Sequence, residues 1–196
     1  LKAMTELAMK DTCGYSMGYF VGLENYRKYG YVPCDMEMES VARTLEYAFD
    51  DRALARFAEQ IGRSEEAAYF NEQSFNYKNV FDADICFVRG KTKEGKWRTP
   101  FAPLASSHRK DDYCEGNAWQ WSFFVPHDVE GLAALMGGKE RLAARLDSLF
   151  TMSSALEGDD VSGDISGLIG QYAHGNEPGH HTIYMYNKVG QPYKTQ

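Results

Sequence analysis

Apolar residues recur at helical spacing in the segment that follows Ser40. The positions that share one side of the expected helix are Val41, Leu45, Ala48, Phe49, Leu54, Phe57, Ala58 and Ile61. A stripe with this period is typical of an amphipathic helix with one buried face. Gly62 then fits a helix end, and Ser64 fits the N-cap of a second helix that has Glu65 and Glu66 in its first turn. The pattern therefore predicts two long helices joined as a hairpin.

The helical pattern of the second helix continues as far as Phe81 and then stops. Its spacing is carried by Phe70, Ser74, Tyr77 and Phe81. Residues 84–105 begin with a short β-prone run, contain the turn residue Gly95, and include Pro100, which disfavours a helix. This segment is predicted to form a small β-hairpin or an irregular excursion.

Further helical patterns occupy the second half of the chain. Helices are predicted over 116–125, from about Asp128 to Gly137, over 139–150 and over 180–189, with another over 1–10 at the start. The Ser-, Gly- and Asp-rich segment 151–179 is predicted to be a long loop, and such loops are often functional. Recurring helix pairs form either a solenoid or a closed toroid. The polar and aromatic loops favour the toroid, so the fold class is predicted to be all-α.

Composition narrows the possible functions. The chain has 196 residues, 43% of them hydrophobic, which fits one globular domain with a real core. No apolar run is long enough to span a membrane. The net charge of −7, without a stripe of Lys and Arg, argues against nucleic acid or an anionic membrane as a partner. The 13 Tyr, 11 Phe and 3 Trp suit either stacking against sugar rings or aromatic core packing.

The cysteines and the chain ends give weaker signals. Cys13, Cys34, Cys86 and Cys114 show no C-x-x-C spacing, so buried thiols and one or two disulfides both stay open. The chain starts at Leu1, inside a predicted helix, and shows no signal peptide. We therefore expect it to be a piece of a longer protein.

A carboxylate stands among aromatic and amide residues in the stretch 111–121. Glu115 lies at a predicted loop-to-helix junction, shortly before Trp119 and Trp121. Apolar neighbours raise the pKa of a carboxyl group and can keep it protonated as a general acid. The alternative is that Glu115 only interacts favourably with the helix dipole.

A second polar constellation runs from Gln171 to His181. Asn176 and Glu177 offer oxygen ligands, which suit calcium better than zinc, although the stretch lacks the pattern of an EF-hand. The alternative is a loop whose side chains cap neighbouring helices. His127 could donate to a substrate hydroxyl, whereas capping of the next helix is the favoured role for Asp128. Residues 158–167 are rich in glycine but lack the Gly-Lys-Ser/Thr of a phosphate loop.

Five stretches, taken together and in order, resemble motifs of glycoside hydrolase family 92, the calcium-dependent exo-acting α-mannosidases. They are Ser40–Asp51, Glu115–Trp121, Phe124–Asp128, Gln171–His181 and Gly190–Gln196. The resemblance covers nearly the whole chain. It implies that residues 1–196 are part of an (α/α)6 toroid. The family's N-terminal β-sandwich and the remaining helices of the toroid are then expected outside this segment.

The resemblance also implies roles for single residues. Glu115 is the expected general acid of an inverting exo-α-mannosidase. Asn176 and Glu177 lie in the motif associated with calcium, and His174, Trp119 and His127 are expected to contact the sugar. The expected substrate is a terminal mannose of a glycan, as in N-glycan degradation, and the expected location is periplasmic or secreted.

Two departures from the family pattern limit what the resemblance implies. The acidic base motif, near Asp-Gly-x-x-Ser-x-Trp, has no match in the chain, so the isolated segment is expected to be inactive. Gly175 stands where members acting on α-1,2 links are expected to carry Glu, which leaves the linkage open. Two rival interpretations remain: a helical-hairpin binding or scaffold module without catalysis, and another (α/α)6 toroid glycosidase.

Overall fold

The computed structural model describes residues 1–9 and 21–196, and within them the chain forms two compact units. The first unit comprises Leu1–Val80 and Gly90–Arg98, and the second comprises Phe81–Arg89 and Thr99–Gln196. About 46% of the structure is helical and small sheets are also present, so the all-α prediction is confirmed only in that the chain is helix-rich. No helix in the described ranges is both long and apolar enough to cross a membrane.

The described residues of the first unit form four α-helices and a 3-10 segment. In chain order these are α1 (Lys2–Leu7), α2 (Leu23–Tyr29), α3 (Ser40–Gln60), α4 (Ser64–Gln73) and the 3-10 segment Asn76–Val80. The hairpin of α3 and α4 confirms the prediction, although α4 ends at Gln73 rather than near Phe81. The predicted N-cap is wrong by one residue, because Arg63 occupies that position and no side chain caps the helix.

The buried side of α3 differs in part from the predicted stripe. Leu54 and Ala55 pack against Phe70 of α4 in one apolar cluster, whereas Phe49 and Phe57 are 40% and 41% exposed. Hydrophobic spacing identifies the apolar positions of a helix, but the neighbouring helix decides which of them are covered. Here α4 covers the side that includes the small residue Ala55.

A charged pair lies at the centre of the first unit. Asp51 is fully buried and accepts hydrogen bonds from Arg27, with Nη1–Oδ2 and Nη2–Oδ1 distances of 2.7 and 2.5 Å, and from the Tyr26 hydroxyl at 2.8 Å. Burial raises the pKa of the Asp51 carboxyl, and the hydrogen bonds from Arg27 act in the opposite direction. The pair ties α2 to α3 within this unit.

The second unit combines shorter helices with three small sheets. Its helices are α5 (Ala118–Trp121), α6 (Val129–Leu135), α7 (Lys139–Thr151) and α8 (Met185–Lys188), with 3-10 segments at Glu177–Gly179, Thr182–Tyr184 and Pro192–Lys194. Its strands are β1 (Phe81–Asp82), β2 (Phe87–Val88), β3 (Ala105–Ser107), β4 (Glu157–Asp160), β5 (Leu168–Ile169) and β6 (Tyr172–Ala173). The antiparallel pairs are β1–β2 and β5–β6, and β3 pairs with β4 in parallel.

Several predictions for the second unit are confirmed and others are wrong. The pair β1–β2, together with an isolated bridge between Lys91 and Trp97 in the first unit, confirms the predicted hairpin-like excursion. The pattern missed β3–β6, because strands of two to four residues are too short to show a period. The helix predicted over 116–125 is only the four-residue α5. The structure describes three cysteines, Cys34, Cys86 and Cys114, which are not joined in disulfides, and Cys13 lies outside the described residues.

Candidate active site

Glu115 occupies the loop that leads into α5 of the second unit, in a backbone conformation that is rare for its residue type. Its φ angle is 47°, in the left-handed region, which costs a residue with a Cβ on the order of 1–3 kcal/mol. The side chain is half-buried and lines a cavity of about 20 Å³, together with Gln120, Trp121 and Asn176 among others. That volume is close to the space one water molecule needs.

Residues on both sides of Glu115 hold this conformation in place. The indole Nε1 of Trp121 donates to the Cys114 carbonyl at 2.8 Å, and Asn176 Nδ2 donates to the Glu115 carbonyl at 3.1 Å. Gly116 follows, and a Cβ there would lie 2.7 Å from Trp121 Nε1, so only glycine fits. Because these bonds fix the main chain, the carboxyl group is carried by a rigid support.

Asn117 begins α5 with a reciprocal pair of capping bonds. Its Oδ1 accepts from the backbone N–H groups of Trp119 and Gln120 at 3.0 and 3.2 Å, and Gln120 Oε1 accepts from the Asn117 N–H at 2.8 Å. This is a capping box, which satisfies N–H groups that a helix start leaves without partners. This cap was not predicted, although Asn followed three residues later by Gln is a usable sequence signal for it.

The loop from Gln171 to His181 contains three histidines and brings two of them, His174 and His180, close together. The Tyr172 hydroxyl lies 2.8 Å from His174 Nδ1, His180 Nε2 donates to the His174 carbonyl at 2.9 Å, and the two imidazole rings are 5.1 Å apart. His181 is different, since its Nε2 donates to the Phe123 carbonyl at 2.7 Å and burial lowers its pKa. His174 and His180 are exposed, so they are accessible to a ligand.

Asn176 and Glu177 begin a 3-10 turn in the same loop. Asn176 is 6% exposed, and its side-chain Nδ2 donates to the Glu115 carbonyl. The side-chain oxygen Oδ1 therefore lies on the other side of the amide group from that bond. Glu177 is exposed. Within residues 1–9 and 21–196, no group of three His, Cys, Asp or Glu side chains is placed to hold a metal ion. The oxygen donors here have the chemistry of a calcium ligand set but provide only part of the six to eight that calcium takes.

Trp119 and His127 lie in different surroundings. Trp119 is 9% exposed and packs edge to face against Phe87 with 5.1 Å between ring centroids, while the Arg145 guanidinium lies 4.0 Å from its ring centroid. His127 is half-buried in the turn before α6. Asp128 accepts from the Gly131 N–H at 3.0 Å, which confirms its predicted role as a cap.

Comparison with known proteins places this arrangement in a family. A model described as the glycosyl hydrolase family 92 catalytic domain matches residues 1–196. Among curated proteins, the chain is similar to an uncharacterized secreted glycosidase of Arthroderma benhamiae, with 27% identity over 87% of this chain and 23% of that protein.

Two solved structures from Bacteroides thetaiotaomicron show the same fold. One is a family 92 α-mannosidase in complex with mannoimidazole, with a TM-score of 0.86 and 40% identity over 99% of this chain and 25% of its own. The other is described as an inverting mannosidase, with a TM-score of 0.83 and 35% identity over 98% of this chain and 27% of its own. The chain thus spans about a quarter of the length of these relatives. Because the family model matches all 196 residues, the chain belongs to glycosyl hydrolase family 92.

Proposed function

We propose that residues 1–196 form part of the catalytic domain of an inverting exo-α-mannosidase that removes terminal mannose from glycans. The observation that carries this proposal is the similarity of nearly the whole chain to two family 92 structures at 35–40% identity, one described as an α-mannosidase and the other as an inverting mannosidase. We further propose that residues 1–196 contribute helices to an (α/α)6 toroid. The similarity to a secreted glycosidase supports a secreted or periplasmic location.

Glu115 is the proposed general acid. Inversion requires one carboxylic acid to protonate the glycosidic oxygen and a second carboxylate, about 6.5–9.5 Å away, to activate water on the opposite face of the sugar. A half-buried carboxyl on a fixed backbone, beside a cavity of water size, suits the first role. The base is expected to lie outside residues 1–196, since the chain has no match to the family's base motif.

His174, His127 and Trp119 are the proposed sugar contacts. Exposure and a hydrogen bond to Tyr172 suit His174 to hold a hydroxyl of the substrate. Trp119 packs against Phe87 and Arg145 and does not line the cavity beside Glu115, so its proposed contribution is to support the wall of the sugar site.

The linkage is left open because Gly175 replaces the glutamate expected for α-1,2 specificity. The Gly175 N–H donates to the Ser166 carbonyl at 2.9 Å, and a Cβ on Gly175 would lie 3.0 Å from that oxygen. The loop around Ser166 therefore fills space that a side chain at position 175 would need. A glutamate at this position would require a different arrangement of the loop, and α-1,3, α-1,4 and α-1,6 links stay open.

Asn176 and Glu177 are the proposed contribution of this chain to a calcium site. A bound calcium would supply charge to orient and distort the sugar toward an oxocarbenium-like geometry. Oxygen donors favour calcium over zinc, and further ligands are expected from outside the described residues or from water.

The substitution Glu115→Gln in the full-length natural protein tests the role of the acid. It keeps the shape of the side chain but removes the proton, so turnover of α-linked mannobiosides should fall by about 10²-fold or more. Turnover of a dinitrophenyl mannoside, whose leaving group needs no proton, should fall much less. Glu140→Gln on the exposed surface of α7 is the matched control and should leave both rates unchanged. Equal losses on both substrates would contradict the role of general acid.

Removal and return of metal test the calcium proposal. Chelation should abolish mannose release, and calcium should restore it better than zinc. Glu177→Gln should raise the calcium concentration needed for half-maximal activity. Full activity in excess chelator would overturn this part of the proposal.

A further inference from the structure

Two fully buried amide side chains meet behind the Glu115 loop. Asn117, at the start of α5, and Gln171, directly before β6, are both 0% exposed, and Asn117 Nδ2 donates to Gln171 Oε1 at 3.0 Å. Burying an amide without hydrogen-bond partners costs about 1–3 kcal/mol, so such groups persist only where their partners are in place. The contact joins segments that are 54 residues apart in the chain.

The surrounding hydrogen bonds allow only one orientation of each amide. Asn117 Oδ1 already accepts two backbone N–H groups at the start of α5, so Nδ2 has to face Gln171. Gln171 Oε1 accepts that bond, and its Nε2 then donates to the carbonyls of Ser153 and Ala155 at 2.8 and 2.9 Å. If either amide were rotated by 180°, acceptor would face acceptor. The chain of bonds therefore fixes three segments of the second unit to one another.

Two of these segments determine the backbone of Glu115. The residue has a left-handed conformation, which the surroundings must hold. One of its supports, Trp121, belongs to the helix that Asn117 caps. The other, Asn176, lies five residues after Gln171 on the chain that leaves β6. If the link between Asn117 and Gln171 were lost, these two supports would lose the buried bond that joins their segments directly behind Glu115, and the bond from His181 to the Phe123 carbonyl would remain.

We infer that Asn117 and Gln171 are positioning residues that set the carboxyl of Glu115 for proton donation. The inference rests on the proposed function, because it assigns Glu115 the role of general acid. Asn117 and Gln171 act through the main chain of Glu115. Misplacement of a reacting group by about 1 Å can cost about 10²-fold in rate, so small relaxations of this link should be visible in kinetics.

The substitution Gln171→Met in the full-length natural protein removes the acceptor for Asn117 and the donor to Ser153 and Ala155, and it nearly keeps the volume of the side chain. We expect kcat on α-linked mannobiosides to fall by about 10- to 100-fold, while KM changes by less than about threefold. The reason is that a misplaced carboxyl group stabilises the transition state less but leaves substrate binding nearly unchanged. On a dinitrophenyl mannoside the loss should be below about threefold, since that leaving group needs little protonation. A variant that is merely less folded would lose activity on both substrates equally.

Two further variants separate the link from general stability and from helix capping. Tyr186→Phe removes a hydrogen bond to Asp147 elsewhere in the second unit and should show no dependence on the leaving group. Asn117→Asp keeps the capping oxygen but loses the donor to Gln171, so it should behave like Gln171→Met. If Asn117→Asp matches the wild type on both substrates while Asn117→Ala does not, capping alone matters and the inference is wrong.

A readout that does not need activity keeps the inference separate from the proposed function. If the wild-type protein releases no mannose from any α-linked substrate, the proposed function fails. Backbone hydrogen exchange over 113–121 then tests the link on its own: it should be faster in Gln171→Met and unchanged in Tyr186→Phe. Unchanged exchange in Gln171→Met would overturn the inference, as would losses of equal size on both substrates in an active enzyme.

Discussion

The two units bury polar side chains at their centres in different ways. The first unit buries a charged pair, Arg27 and Asp51, whose side chains bond to each other and join helix α2 to helix α3. The second buries two neutral amides, Asn117 and Gln171, whose partners are mostly backbone groups of loops and of a helix start. Buried polar side chains therefore have two different roles in this protein. The ion pair joins two regular helices, whereas the amides satisfy backbone hydrogen-bonding groups of irregular segments.

The starts of the helices differ between the units in part. In the described part of the first unit, none of the four helices has a side-chain cap, not even the 21-residue α3. In the second unit, α5 and α6 are capped by Asn117 and Asp128, whereas α7 and α8 have no side-chain cap. A short helix has few internal hydrogen bonds, so the bonds at its ends form a larger share of its stability.

The largest expected effect tests the ion pair of the first unit. Asp51→Ala should lower the free energy of unfolding by about 3–5 kcal/mol, because it leaves the buried Arg27 without its partner. Glu59→Ala is the matched control on the same helix, since its pair with Arg56 is exposed, and it should cost less than about 1 kcal/mol. Urea denaturation measures both changes. Similar losses in the two variants would contradict a special role for the buried pair.

The next effect tests whether the backbone conformation at a closely packed glycine contributes to the stability of the second unit. Gly170 has a φ of 61°, and a Cβ there would lie 2.2 Å from the Leu149 carbonyl oxygen. Gly170→Ala should therefore cost at least about 1–3 kcal/mol from strain and crowding. Gly163 has open space around it, so Gly163→Ala should change stability by less than about 0.5 kcal/mol. If thermal unfolding shows equal shifts for both variants, the close approach at Gly170 is unimportant.

A smaller effect tests the contrast between capped and uncapped helices. Asp128→Ala removes the bond to the Gly131 N–H and should cost about 1 kcal/mol. Ser64→Ala changes the first residue of α4, where the structure shows no side-chain cap, and should cost only about 0.5 kcal/mol or less. Denaturation midpoints at constant m-value measure both. A larger loss for Ser64→Ala would reverse the contrast.

The smallest effect is a pH-dependent one in the second unit. The hydrogen bonds from Lys194, at 2.7 Å to both carboxylate oxygens, lower the pKa of Asp147 below its ordinary value. A carboxyl group whose pKa is lowered by folding stabilises the folded state at pH values above its unfolded pKa of about 3.9. This stabilisation is lost as the pH falls through the pKa of the folded state. Lys194→Met should therefore cost less than about 1 kcal/mol at pH 7, and its difference from wild type should shrink toward pH 3.

Lys188→Met, which changes an exposed lysine on α8, is the control for that measurement. Its effect on the melting temperature should be smaller at pH 7 and should show no comparable convergence with wild type at low pH. A Lys194→Met difference that grows as the pH falls would contradict the sign of the pKa shift.

Local sequence patterns were sufficient to predict the structure where the chain forms regular helices. The hairpin of α3 and α4 was predicted because many turns of helix repeat one spacing, and α7 was predicted from Leu142, Leu146 and Leu149. The cap at Asp128 was predicted because capping depends on residues only three positions apart. Glu115 and the loop 171–181 were singled out by their residue types and by the family motifs, and the structure brings Glu115 and Asn176 into contact.

The tertiary structure decided what depends on distant partners. The sequence by itself determined the helix-rich character, the hairpin and the family, since these follow from local spacing and from motifs in order along the chain. It did not determine that Phe49 and Phe57 of α3 are exposed, because the position of a neighbouring helix decides which apolar residues are covered. Nor did it determine the contact between Asn117 and Gln171, because an amide has no preferred partner until folding excludes water and brings an acceptor within reach.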